Sequence, residues 1–458
     1  MGYEEFLARK QDHGAEHGFA PLWMPDFLFG FQEALTEWAI RKGRAAIFAD
    51  CGMGKTPMQL VWAENVIRKT NKPVLILTPL AVSAQTLDEA EKFGIEAHRA
   101  DIRANPIAVQ VTNYEKLHYF DAGNYGGVVC DESSILKNFD GTRKVEITEF
   151  MRRVPYRLLC TATAAPNDWI ELGTSSEALG YLGHTDMVTR FFTTQSSSIA
   201  ARRFQQTRES FALKPHAEEP FWRWVASWAR AARRPSDLGF EDNGFLLPPL
   251  HEQQHEVEAV RPPQGRLFEV EAVTFHEERE AIRRTIPERC ERVAELVQDH
   301  DISMIWCHLN DESKLLSQLI PGSVEVTGSD SDEQKEAAAR WFVRDTESRR
   351  VLISKPRIFG FGLNFQHCAH MTYFPTHSYE QYYQATRRLW RFGQTRPVTV
   401  DMIYTNGGSR MLDNLLRKAQ AADRMFDDLT KYMNEALHVE TTYQPASMEV
   451  PSWMRAQS

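Results

Sequence analysis

Ala45-Ala46-Ile47-Phe48-Ala49-Asp50-Cys51-Gly52-Met53-Gly54-Lys55-Thr56 is the stretch that decides the fold. Its first four residues form a short apolar run of strand character, and a helix-like run follows Thr56. Strand, glycine-rich turn and helix form the context in which Gly-Lys-Thr reads as a phosphate-binding loop rather than an ordinary turn. Gly52 and Gly54 let backbone N–H groups close around phosphates. The helix that follows directs its positive end at them. Lys55 reaches the β and γ phosphates, and Thr56 places its hydroxyl on Mg²⁺. Ala49 stands where the commonest pattern has glycine, so this is a variant loop.

Working outward, the same grammar continues. Val74–Leu77, Ile107–Val109, Val128–Cys130 and Leu158–Cys160 are near-continuous apolar runs separated by helix-like stretches. That pattern predicts a parallel sheet covered on both faces. It restarts at Met304–Trp306, Val324–Val326, Val351–Ile353, Met371–Phe374 and Val398–Val400, with helices predicted over 311–319 and 333–342. The fold class is therefore α/β with two parallel-sheet domains. We place the first at 1–182 and the second at 287–436, joined by a helical, Arg- and Trp-rich insertion and linker at 183–286, with a tail at 437–458.

The 458 residues are too many for one ordinary domain. With 42% hydrophobic and 25% charged residues the chain reads as a soluble globular protein. No apolar run is long enough for a membrane span, and the polar N-terminus lacks the apolar core of a signal peptide. Six scattered cysteines without a CxxC pair predict reduced thiols in a cytoplasmic protein and no zinc site. The irregularly spaced His367, His370 and His377 do not form a ligand set. A net charge of −9 confines any polyanion contact to a local basic patch.

Asp131-Glu132 ends the run Gly127–Cys130. A carboxylate at a strand end beside a phosphate loop is where Mg²⁺ needs a ligand, which assigns Asp131, while Glu132 would polarise an attacking water. Arg388 and Arg391 are spaced to share a helix face. On a helix that faces a triphosphate, such arginines can neutralise charge developing on the γ-phosphate; the alternative reading of the pair is a solvated basic helix surface.

With these motifs in place, residues from about Leu28 to Tyr404 resemble the superfamily-two helicases, and within them the Swi/Snf-like translocase branch. Gln32 looks like the family's adenine-reading glutamine. Thr78-Pro79 and Thr112-Asn113 are similar to its DNA-contacting motifs. Asp131-Glu132-Ser133-Ser134 resembles the acidic box, with two serines in place of its last two residues. Thr161-Ala162-Thr163, followed by Pro166-Asn167, resembles the coupling motif. Gly360–Phe365, which contains Gly362 and Asn364, and Gln384–Gln394 look like motifs of the second domain. The branch usually reads Gln-Ala-x-Asp-Arg-x-His-Arg-x-Gly-Gln, so Arg387 and Trp390 depart from it.

The resemblance implies two RecA-like domains, ATP and Mg²⁺ as cofactors, and a compact motor of phage or bacterial type. It assigns ATP contacts to Gln32, Gly362 and Gln384, and nucleic-acid contacts to Thr78, Pro79, Thr112, Asn113 and Asn364. Duplex DNA is the favoured partner, with single strands as the alternative. Three functions remain open at this level: a duplex-DNA translocase, a strand-separating DNA or RNA helicase, and an ATP-gated binding factor. The segment Arg202–Arg234, with Trp222, Trp224 and Trp228, reads equally as a DNA-facing surface and as a helical subdomain with a tryptophan core.

Overall fold

A computed structural model of the chain describes residues 16–79, 82–103, 106–137, 141–164, 169–195, 210–260, 274–344, 349–359 and 364–442. The motif positions Gly360–Leu363, Pro166-Asn167, and Arg202, Arg203 and Arg208 lie outside them.

The first lobe is built on β1 (Arg44–Ala49), β2 (Val74–Thr78), β3 (Ala97–Arg99), β4 (Val109–Asn113), β5 (Gly127–Asp131) and β6 (Tyr156–Cys160). Two further strands, β7 (Phe192–Gln195) and β8 (Ser210–Leu213), form a separate antiparallel pair. β9 (Ala229–Ala232) then returns to the main sheet, giving the order β3-β4-β2-β5-β6-β1-β9 with every pairing parallel. Successive strand residues alternate between two cores. Ala45, Ile47 and Ala49 of β1 face one apolar cluster and Ala46 and Phe48 the other, as burial of a sheet on both faces requires.

The second lobe uses β10 (Leu250–Val257), β11 (Ile302–Trp306), β12 (Val324–Glu325), β13 (Arg350–Ser354), β14 (His370–Tyr373) and β15 (Val398–Thr405). Their order is β10-β15-β14-β11-β13-β12, again all parallel. The chain is thus α/β with two large parallel sheets, as the alternation of runs predicts.

The segment between the lobes is more integrated than an inserted helical unit. It contributes β9 to the first sheet and β10 to the second. Its helix Glu218–Ala226 buries Trp222 and Trp224, and Trp228 follows at 0% exposure, all inside the first-lobe core. The tryptophans are core residues and not a stacking surface. Arg230 is buried with them and lies 4.4 Å over the Trp38 ring.

The last helix, Ser409–Thr442, crosses between the lobes. Leu412 and Leu415 pack in the second-lobe core, while Met425, Phe426 and Leu429 pack in the first. Arg233 anchors this crossing through Asp423 at 3.0 Å and Asp427 at 3.6 Å. Among the described residues no helix is long and apolar enough to cross a membrane.

Candidate nucleotide site between the lobes

A parallel α/β sheet places the C-terminal ends of its strands at one edge, where the chain turns back into helices. β1 ends there at Ala49, and the helix Lys55–Thr70 begins just beyond the turn. Between them Gly52 and Gly54 take φ of +92° and +74°, left-handed values that side chains with a Cβ resist. Space matters too: a Cβ on Gly54 would lie 2.2 Å from the Gln32 amide nitrogen. Gln32 is buried. Its Nε2 donates to the Met53 carbonyl at 3.0 Å and its Oε1 accepts from the Phe29 amide at 3.1 Å, so it fixes the loop from below. Lys55 Nζ donates back to the carbonyls of Ala49 (3.0 Å) and Asp50 (3.4 Å), which holds the amine over the loop.

β5 brings the acidic pair to the same edge. Asp131 is buried, and its Oδ1 accepts from Gln59 Nε2 at 2.7 Å. Burial, with the adjacent Glu132 charge, pushes the Asp131 carboxyl up to about 6. A buried, under-compensated carboxylate on the same cleft as a threonine hydroxyl is an oxygen donor set that suits a hard divalent cation. Glu132 has φ of +55°, an uncommon conformation for a non-glycine residue. Thr161 Oγ1 donates to Glu132 Oε2 at 3.3 Å, and the Thr163 amide donates to Thr161 Oγ1 at 3.0 Å, so the segment after β6 touches the acidic pair directly.

The second lobe closes the site. A cleft of about 580 Å³, open to solvent, is lined from the first lobe by Gln32, Gly52, Gly54, Lys55, Thr56, Asp131 and Glu132, and from the second by Asn364, Arg388 and Arg391. The helix Tyr379–Leu389 carries Arg388 on its last turn, and Arg391 follows just beyond it. Arg388 donates to Gln384 Oε1 at 2.9 Å, and Arg391 donates to Asn364 Oδ1. Burial and the neighbouring Arg388 lower the Arg391 guanidinium to about 10. Two like charges held together in a half-dry cleft are stabilised by an anion between them.

The remaining sequence-selected residues fall as follows. Gln384 is buried behind Arg388, which it orients, and does not line the cleft. Asn364 lies in the cleft as the partner of Arg391. Thr78 and Asn113 end β2 and β4 and are register partners. Thr78 is buried with its hydroxyl 2.8 Å from Ser83 Oγ, Asn113 caps the next turn through the Lys116 amide at 3.2 Å, and Thr112 is buried beside it. Pro79 is partly exposed. Gly362 lies outside the described residues.

The structure adds residues that local pattern did not single out. Gln59 holds Asp131. Glu380 of the second lobe accepts from Ser134 at 2.8 Å and pairs with Lys137. Phe245 packs at 4.8 Å from Phe392 and at 5.2 Å from Phe29, making an aromatic end wall next to Gln32. No short-range motif advertises these contacts, because each joins positions distant in sequence.

No family model and no curated protein sequence matches the chain. Among solved structures the chain is similar to the SWI2/SNF2 ATPase core of Sulfolobus solfataricus in complex with dsDNA, at 14% identity and a TM-score of 0.41, over 91% of this chain and 96% of that one.

Proposed function

We propose that the chain is an ATP-hydrolysing motor that translocates on nucleic acid, with duplex DNA as its track. The observation that carries the reading is the composite cleft: Lys55, Thr56, Asp131 and Glu132 from one lobe face Arg388 and Arg391 from the other.

In this reading the loop amides and Lys55 bind the β and γ phosphates, and Gln32 with the Phe29–Phe245–Phe392 wall receives the base. Thr56 and Asp131 hold Mg²⁺, which when bound neutralises charge on the phosphate oxygens. Glu132 orients a water for in-line attack on the γ-phosphorus and draws off its proton as the bond to the leaving ADP oxygen breaks. Arg388 and Arg391 stabilise the charge on the transferring group, a contribution of about 10³–10⁵-fold in enzymes of this kind. Asn364 and Gln384 hold those two guanidinium groups.

ATP binds both lobes, so it favours the closed arrangement, and its loss favours opening. A track lying across both lobes would then be gripped alternately. The choice of duplex DNA rests on the resemblance of Gln384–Gln394 to the Swi/Snf-like branch. Backbone grip predicts weak sequence preference and strong salt dependence.

The test is steady-state ATP hydrolysis by the full chain with no nucleic acid, single-stranded DNA, duplex DNA or RNA, paired with displacement of a third strand from a duplex. Stimulation by duplex and strand displacement without unwinding support the translocase. Stimulation by single strands or RNA alone, with duplex unwinding, would replace it by the helicase reading.

A further inference from the structure

The second lobe meets the phosphate loop at a point that the proposed chemistry does not use. Arg387, next to Arg388, is buried and forms an ion pair with Asp50 inside the loop. Tyr383, one turn earlier on the same helix, donates its hydroxyl to the other oxygen of Asp50. The Arg387 guanidinium lies 4.3 Å from the centroid of the Trp390 ring and 5.2 Å from that of Tyr383. Asp50 is in turn fixed within its own lobe: its Oδ1 accepts from the Cys51 amide at 2.6 Å, and its own amide donates to Ala232 of β9 at 3.0 Å. A little further on, the lobes touch again, since a Cβ on Gly52 would lie 2.8 Å from the Phe392 amide nitrogen.

Arg387 is therefore committed. Its charge is matched by Asp50, it lies over two aromatic rings, and it does not line the nucleotide cleft. Arg391, by contrast, donates to the neutral amide of Asn364 within its own lobe. Exchanging an amide for a phosphate oxygen is favourable for a guanidinium; exchanging a buried carboxylate is not.

Resting on the ATPase reading above, we propose that Arg387 and Asp50, with Tyr383, form a lobe-to-lobe latch that, in the closed arrangement, fixes the phosphate loop against the helix Tyr379–Leu389, so that Arg388 and Arg391 stand at the γ-phosphate position. Arg387 is a positioning residue, distinct from the two arginines that would touch substrate. The latch also joins the loop to another cavity between the lobes, of about 330 Å³, which Asp50, Thr163, Tyr383 and Arg387 line together. Through Thr163 and Thr161 that cavity is linked to Glu132.

A positioning latch should act on the chemical step more than on nucleotide affinity, because Lys55 and Gln32 remain. Misplacement of a catalytic group by about 1 Å costs on the order of 10²-fold. The experiment uses the full chain and its Arg387→Ala, Arg387→Lys, Asp50→Asn and double variants, with two readouts: ATP kinetics and hydrogen exchange of residues 49–54 with a non-hydrolysable ATP analogue present. We expect Arg387→Ala and Asp50→Asn each to lower kcat by at least about tenfold with KM within about threefold. Arg387→Lys should recover part of kcat, and the double variant should be no worse than either single one. Exchange of the loop should accelerate in both single variants. Unchanged kcat together with unchanged loop exchange overturns the latch, as does a loss confined to KM. If the parent chain hydrolyses no ATP, the ATPase reading fails and loop exchange alone decides the latch. If Arg387→Ala does not fold, Tyr383→Phe and Arg387→Lys, which keep the packing, carry the same readouts.

Discussion

Replacing Asp131 by asparagine should make the nucleotide-free protein more stable while abolishing hydrolysis. Asp131 is buried at 8% exposure, and burial together with the Glu132 charge raises its carboxyl from 3.8 to about 6. The sign follows from proton linkage. Between those two values the folded state holds a proton that the unfolded chain has released, so this group's contribution falls as pH rises and stays unfavourable above pH 6. A rise of that size corresponds to about 3 kcal/mol at pH 8, and to about half of that at pH 5. Asparagine keeps an oxygen for the 2.7 Å bond from Gln59 and carries no charge. Urea unfolding of parent and variant at pH 8 and pH 5, without nucleotide or Mg²⁺, measures the difference. The variant should gain about 1–3 kcal/mol at pH 8 and markedly less at pH 5. An Asp131→Asn variant no more stable than the parent at pH 8, or a difference that does not shrink at pH 5, would refute the reasoning.

Three further outcomes follow from the same geometry. If Asp131 ligates Mg²⁺ as proposed, it does so only when ionised, so kcat/KM for Mg-ATP should fall roughly tenfold per pH unit below about 6, and a profile flat to pH 5 would contradict it. Gly54→Ala forces a Cβ to 2.2 Å from Gln32 at a φ of +74°, so it should cost at least about 1–3 kcal/mol in nucleotide binding, read by titration with a fluorescent ATP analogue; unchanged affinity would sink it. Leu429, fully buried where the last helix enters the first lobe, should cost about 2–5 kcal/mol when cut to alanine, and a loss under about 1 kcal/mol in urea unfolding would mean that the helix is not held there.

Much of the lining of the candidate site could be read from the sequence because its parts are local. The phosphate loop needs strand, glycines and Gly-Lys-Thr in one run, and Asp131-Glu132 needs an apolar strand before it; each signal fits within a short stretch of chain. β9 was not legible, because Ala-Arg-Ala-Ala has no β-branched residue and becomes a strand only through pairing with β1. β10 was equally hidden: Leu-His-Glu-Gln-Gln-His-Glu-Val is a polar edge strand without the apolar alternation that marks a half-buried one. The tryptophans at 222, 224 and 228 could face either a core or a ligand until the helix Glu218–Ala226 was seen packed under the last helix. Arg387 could be seen to depart from its motif, but its partner Asp50 lies 337 positions away, beyond any reading of spacing. Motif resemblance assigns Gln384 to ATP and Asn364 to nucleic acid; it does not announce that Gln384 accepts from Arg388 and Asn364 from Arg391 in the fold.

The central claim is that one ATP site is assembled from both lobes. Single-turnover hydrolysis of radiolabelled ATP by the full chain, beside Lys55→Ala and Arg391→Ala, tests it most directly, with duplex DNA present and nucleotide binding measured in parallel. The account predicts that Lys55→Ala loses binding and hydrolysis together. Arg391→Ala should bind ATP nearly as the parent does but hydrolyse it about 10³-fold or more slowly. Hydrolysis by Arg391→Ala at the parental rate would mean that the second lobe takes no part in the chemistry, and the composite site would be wrong.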